Sequence, residues 1–246
     1  MKKTVLTCFL LLSNFILTAA MAKVTVTINH QAFEFDHNPR LVEVLAPVAI
    51  EQNWYWPSAV LFEDTNNELE TTRQLLLNNL SNLSQAYEAD NAKLAESIEE
   101  LKATIASWRL AKRLPIKVDF DLARIVAAEN PQLPNGDYIL ELDERKNTVQ
   151  LFGAVHKTNQ LNHQGHADAS QYITDQLRSE LANKDYVILI QADGQKIMAP
   201  VAYWNKKHQE IMPGSQIFVP FKESLLQPEL NLLNQQIVTL ALNRLP

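Results

Sequence analysis

The sequence predicts an α+β fold made of two units of the same kind, the first interrupted by a helical hairpin. Three observations lead there. Clean strand alternation marks Lys23–Ile28, and strand patterns return after Pro115. The order strand, strand, helix at Lys23–Leu45 recurs from Tyr138 onward. Between Pro57 and Pro115 there is neither glycine nor proline, and the apolar residues fall at helical spacing.

Taken in order, Val24, Val26 and Ile28 alternate with Thr25 and Thr27, the pattern of a half-buried strand, and Gln31–Phe35 repeats it after a polar turn. Leu41–Leu45 is a short helix candidate ending before Pro47, and Ala59–Phe62 is an apolar strand candidate after Trp54-Tyr55-Trp56-Pro57. Thr65-Asn66-Asn67-Glu68 has the form of a capping box. Leu76, Leu80, Leu83 and Tyr87, then Leu94, Ile98, Leu101, Ile105 and Trp108, give two helical stripes with a break at Ala89-Asp90-Asn91. Two antiparallel helices are expected, because one unbroken helix would project roughly 70 Å. Beyond Pro115 come a strand candidate at Ile116–Phe120, a hairpin of Tyr138–Leu142 with Thr148–Phe152 across Asp143–Asn147, and a helix candidate at Ser170–Leu181. Tyr186–Ile190 is a continuous apolar strand whose return, Lys196–Val201, follows the two-residue turn Asp193-Gly194. Pro213-Gly214 turns into a strand at Gln216–Val219. Pro228–Pro246 reads as an amphipathic helix, with Leu226, Leu230, Leu233, Ile237 and Leu240 on one stripe and Asn231, Asn234, Gln235, Asn243 and Arg244 on the wet side.

The N-terminus predicts export. Lys2 and Lys3, the apolar run Val5–Ala20 and the small-x-small Ala20-Met21-Ala22 form a signal peptide, residues 1–22, so the mature chain is expected to start at Lys23 in the periplasm. Cys8, the one cysteine, lies within it. The mature protein is then expected to lack disulfides, a thiolate nucleophile and cysteine-bound metal. The net charge of −6 becomes −8 when Lys2 and Lys3 leave. That balance argues against nucleic acid as a partner, whose binding rests on phosphate neutralisation.

Five short motifs stand in order: Trp56–Leu61, Arg113-Leu114-Pro115-Ile116-Lys117, Leu151–Val155, Ala199–His208 and Pro213-Gly214-Ser215-Gln216. Together they resemble the capsule-biosynthesis GfcC family, periplasmic proteins of Gram-negative polysaccharide operons, over nearly the whole mature chain. The resemblance implies two tandem β-grasp (ubiquitin-like) domains, related to the SLBB modules of polysaccharide exporters: residues 23–63 with 112–135, then 136–221. It implies a helical hairpin at 64–111 inserted in the first, and a C-terminal amphipathic helix, 222–246, packed on the second. It also implies a role in assembly or export of a capsule or exopolysaccharide, with the polymer or an outer-membrane export protein as partner, and an arginine, here Arg113, lining a central pocket. The family often has glycine before that arginine, where this chain has Lys112.

Each candidate site residue carries two readings. Arg113 binds a sugar carboxylate or hydroxyls, or fixes the hairpin by pairing with a neighbouring acid. Trp56, with Trp54 and Tyr55, stacks on sugar rings or packs at the junction of sheet and insert. Trp204, Lys206, Lys207 and His208 hold an anionic polymer or form a solvated connection. His163 and His166, with His156 and Asp168 near, suggest a zinc chelate, but four ligands do not assemble from this segment, and no metal or cofactor is expected. Asp119 and Asp121 would share a strand face at glycosidase spacing, a pattern any two acids in a strand show. No nucleophile elbow, phosphate loop or zincin helix is present, so no catalytic residue is assigned. A non-enzymatic, monomeric assembly protein is the expectation. The alternatives are a polysaccharide-modifying enzyme, or an oligomer that enters the outer membrane through its C-terminal helix.

Overall fold

The computed structural model describes residues 23–223 and 227–245. The signal segment, Leu226 and Pro246 lie outside them. The described chain is α+β, with two five-stranded mixed sheets and five helices.

The first sheet begins with β1 (Val24–Ile28) and β2 (Gln31–Phe35), an antiparallel hairpin closed by Asn29 and His30, both at positive φ. Asn29 also accepts from the Leu142 amide at 3.1 Å and donates to its carbonyl at 2.9 Å. The turn thereby holds the end of β5 (Gly136–Glu141), which runs parallel to β1. On the other side of β5 lie β3 (Val60–Glu63) and the two-residue edge strand β4 (Lys112–Arg113), giving the order β2-β1-β5-β3-β4. Val24 and Val26 face a core shared with Leu41 and Leu45 of the predicted helix α1 (Leu41–Leu45).

The second sheet contains β6 (Thr148–Gly153), β7 (Asn159–Asn162), β8 (Tyr186–Ile190), β9 (Lys196–Pro200) and β10 (Gln216–Val219), in the order β7-β6-β10-β8-β9. This is the first sheet's order with each strand five places later, and the four pairings keep the same senses. The expected hairpin of Tyr138–Leu142 with Thr148–Phe152 does not form. Leu140 is taken by Ile28 on one side and Leu61 on the other, so β5 is a central strand of the first sheet. The passage between sheets is therefore Asp143–Asn147, and the unit expected to start at 136 starts after it.

Between β3 and β4 the chain forms α2 (Asn67–Glu88) and α3 (Ala92–Ala106), the predicted hairpin with its break at Ala89–Asn91. Asn91 caps α3, its Oδ1 accepting from the Leu94 amide at 3.1 Å. The capping box at Thr65 does not form: Asn66 is the residue before α2 and makes no side-chain cap. The backbone carbonyl of Thr65 accepts from the Lys112 amide at 3.2 Å, extending the β3–β4 pairing. Leu76, Leu80, Leu94, Ile98, Leu101 and Ile105 lie in one core with Leu151, Phe152 and Phe218 of the second sheet. Although it interrupts the first unit in sequence, the hairpin buries its apolar face on the second.

The C-terminal helix α5 (Pro228–Leu242) adds Leu230, Leu233, Ile237 and Leu240 to that same core. Its polar side is less wet than predicted. Asn234 is buried, accepting from the Phe221 amide and donating to the Phe221 carbonyl, both at 2.8 Å. Asn243 and Arg244 are also drawn inward. Past α5 the chain returns to the first sheet: Ala111 donates to the Asn243 carbonyl and Leu245 to the Arg109 carbonyl, and Leu245 is buried with Val60 and Phe62. Among the described residues no helix is long and apolar enough to cross a membrane.

Three further local expectations are corrected. Ile116–Phe120 is not a strand. Asp119 caps α4 (Phe120–Ile125), accepting from the Leu122 amide at 3.0 Å, and capping wins over a short alternating pattern. Asp119 and Asp121 therefore share no strand face, and Asp121 meets Arg124 at 3.5 Å in solvent. Ser170–Leu181 is not an α-helix. Asp168 caps a 3₁₀ turn at Ala169–Gln171, and the Ser179 amide and the Leu177 carbonyl pair with Ala154 and His156 instead of closing helical turns. The β8–β9 connection spans Gln191–Gln195 rather than two residues, since Gln191 donates to Gln195 and accepts from Gly194 before the ladder resumes.

Candidate functional site

Arg113 sits where three parts of the chain meet. It is half of β4, and its register opposite Phe62 places it one step past Lys112, which pairs with Glu63 in solvent at 3.0 Å. Its amide donates to Asn243 Oδ1 at 2.8 Å, so the end of α5 holds the strand. Its Nη2 donates to the Ala192 carbonyl at 3.0 Å, in the β8–β9 connection. Gly194 of that connection has φ +89°, and a Cβ there would stand 2.6 Å from Arg113 Nε. Glycine is thus required both by the backbone and by the guanidinium lying across it. Burial lowers the Arg113 pKa, and the nearby Asp193 works against that. Among the described residues no carboxylate comes within ion-pair distance of it.

The side chain forms part of the wall of two cavities. One is a groove of about 780 Å³, lined by Trp56, Leu114, Ile116, Asp193, Met212 and Leu242 among others. The other is a polar cleft of about 410 Å³ on the second sheet, next to the buried Phe152 and Phe218, which share the face of Gln150 and Gln216. There Gln160, Gln150 and Gln216 stand in register across β7, β6 and β10, while Val149 and Leu151 turn to the core. Arg244 closes the cleft, its Nη1 donating to Gln150 Oε1 and its guanidinium lying 5.6 Å from the Trp108 ring centroid. Lys146 stands at the rim, 2.7 Å from Asp143.

Residues 19–145 match the family model described as capsule biosynthesis GfcC, N-terminal, and residues 157–246 match capsule biosynthesis GfcC C-terminal. The chain belongs to the GfcC family. The first match ends inside the Asp143–Asn147 passage, where the first sheet gives way to the second. Over 206 residues the chain is 30% identical to the uncharacterized protein YjbG of Escherichia coli K12, covering 84% of this chain and 82% of that one.

In this GfcC-family chain the predicted site residues divide into two groups. Arg113 and Trp56 share the larger groove, Trp56 being half-buried in a 3₁₀ turn with its ring against the first core. Trp54 is committed to packing, donating to the Val48 carbonyl at 2.8 Å. Trp204, Lys206 and His208 lie on the β9–β10 connection and line neither cavity. Trp204 is 75% exposed, and Lys206 sits 3.2 Å from Asp168. Burial would raise the Asp168 pKa, but hydrogen bonds from Ser170 and Lys206 outweigh it and hold the carboxyl below its ordinary value. His163 donates from Nε2 to the Ile211 carbonyl at 2.8 Å, and His166 faces Glu210 in solvent. Among the described residues no three potential ligands gather at one point.

Arg244, Lys146 and the three glutamines were not singled out from sequence. Alternation of Thr148 and Gln150 with Val149 and Leu151 marks a polar strand face. Only strand pairing shows that three such faces align.

Proposed function

We propose that this protein is an extracytoplasmic, non-enzymatic component of capsule or exopolysaccharide assembly or export. It acts through two tandem β-grasp domains and the pocket around Arg113, and the partner is the polymer or an outer-membrane export protein. Family membership supports the biological role. The repeated strand order and pairing senses support the tandem reading, with β5 completing the first unit. The observation that carries the site is Arg113: a half-buried guanidinium on the wall of two cavities, held by neutral protein groups and by a glycine that leaves room for it. Such a group is a preorganised donor for carboxylate or hydroxyl oxygens. The motif at Met1–Ala22 supports the periplasm as its place of work.

The test compares surface polysaccharide in wild type, a deletion strain and Arg113→Ala at matched protein level. Loss of surface polymer in both mutants is expected. Loss in the deletion alone would reduce Arg113 to a local structural residue.

A further inference from the structure

The polar cleft holds three cations, Arg113, Lys146 and Arg244, against one carboxylate, Asp143. Lys146 already satisfies Asp143. The two arginines are left with neutral partners: the Ala192 carbonyl and, on the other side, the Gln150 carboxamide. Both are partly withdrawn from water, which lowers both pKa values, yet a guanidinium remains charged throughout the physiological range. Asp193 lies near Arg113 but outside ion-pair distance; a desolvated cation without a close counter-charge is costly to keep, and an incoming anion lowers that cost.

Two further features describe what else the ligand carries. Gln216 donates to the Ala241 carbonyl at 3.2 Å, but its Oε1 is buried without any hydrogen-bond partner. In the in-register row along one side of the cleft, Gln160 Nε2 donates to Thr148 Oγ1 at 3.0 Å and Gln150 Oε1 accepts from Arg244, so Gln160 and Gln216 offer their carbonyl acceptors and Gln150 its amide donor. That inventory suits hydroxyl groups, which also donate and accept. A bare inorganic anion would use the arginines and leave the row idle.

The geometry points to this cleft as the seat of an acidic saccharide unit, its carboxylate between Arg113 and Arg244 and its hydroxyls on the glutamine row. The inference rests on the polysaccharide-assembly reading above and adds a ligand chemistry: a uronic-acid-bearing glycan rather than a neutral one. The cleft's volume lies within the range of small-molecule sites.

The test is titration of the purified full-length mature protein with tetragalacturonate, cellotetraose and inorganic phosphate at fixed ionic strength. Tetragalacturonate is expected to bind at least about tenfold more tightly than either of the others, one charge-assisted contact being enough for that factor. Arg244→Gln is expected to abolish the preference. Since Arg244 also packs on Trp108, the second variant is Gln160→Glu, at an exposed rim position, which adds a repelling carboxylate and is expected to weaken tetragalacturonate about tenfold while sparing the fold. Equal binding of all three probes, no binding of tetragalacturonate, or an unaffected Gln160→Glu protein would overturn the inference. If tetragalacturonate is ignored while Arg113→Ala still loses surface polymer, the assembly reading stands and the acidic ligand falls. If tetragalacturonate binds and the deletion strain exports normally, the cleft stands and the assembly reading falls.

Discussion

Replacing Asn234 by alanine tests how α5 is fastened to the second sheet. The side chain is buried and makes two 2.8 Å hydrogen bonds to a single residue, accepting from the Phe221 amide and donating to the Phe221 carbonyl. Phe221 is itself buried, just past β10. Alanine removes both partners and leaves a backbone donor and acceptor without water, each costing about 1–3 kcal/mol. The better helix propensity of alanine returns about 0.5 kcal/mol. The net expectation is a loss of about 2–5 kcal/mol, read by urea denaturation as a lower midpoint at unchanged slope. Gln235→Ala, one position along on the exposed side, should stay within about 0.5 kcal/mol of wild type. Asn234→Asp should not rescue, because a carboxylate cannot donate to the Phe221 carbonyl. An Asn234→Ala protein within about 1 kcal/mol of wild type, or a fully stable Asn234→Asp, would refute the reasoning.

Gly194→Ala should displace the Arg113 guanidinium without changing the arginine. It should cost about 1–2 kcal/mol for a left-handed non-glycine residue and reproduce the surface-polymer defect of Arg113→Ala in a protein that still folds; normal surface polymer would separate the glycine from the site. At Asp168 the folded pKa lies below the unfolded value. Its stabilisation is therefore present above about pH 4 and is lost as pH falls through the folded pKa. The stability gap between wild type and Asp168→Asn should be constant from neutral pH to about pH 5 and shrink below about pH 4, whereas a gap that widens on acidification would contradict the ionised role.

The two units exchange parts. The hairpin leaves the first sheet and packs on the second, while the segment after α5 leaves the second and pairs beside β4 of the first. The two exchanges meet at Asn243, which accepts from the amides of Ala111 and Arg113, so Arg113 stands at the crossing. Mutual insertion holds the two sheets at a fixed relation without a disulfide, as the described residues require, since none of them is cysteine.

The amino-acid sequence by itself determined the elements whose signals are local. The alternation in Val24–Ile28, the stripe from Leu94 to Ile105 and the proline that opens α5 were sufficient, because burial of one face selects the period. Failures came where a side chain or a distant strand offered the backbone a better partner. Asp119 caps α4 where the pattern predicts a strand, Asp168 caps a 3₁₀ turn where it predicts a longer helix, and Leu140 pairs with β1 and β3 rather than the nearer β6. The motif around Arg113 marked the residue, and Trp56, chosen from sequence as an aromatic, lines the same groove. Trp204, Lys206 and His208 looked equally apt in sequence and lie elsewhere. What only the tertiary structure decided is the cleft. Gln150, Gln160 and Gln216 are distant in the chain and become one surface through strand register, and Arg244 meets them only because α5 ends above that face. Register and helix placement are set by packing between segments far apart in sequence, which no local pattern encodes.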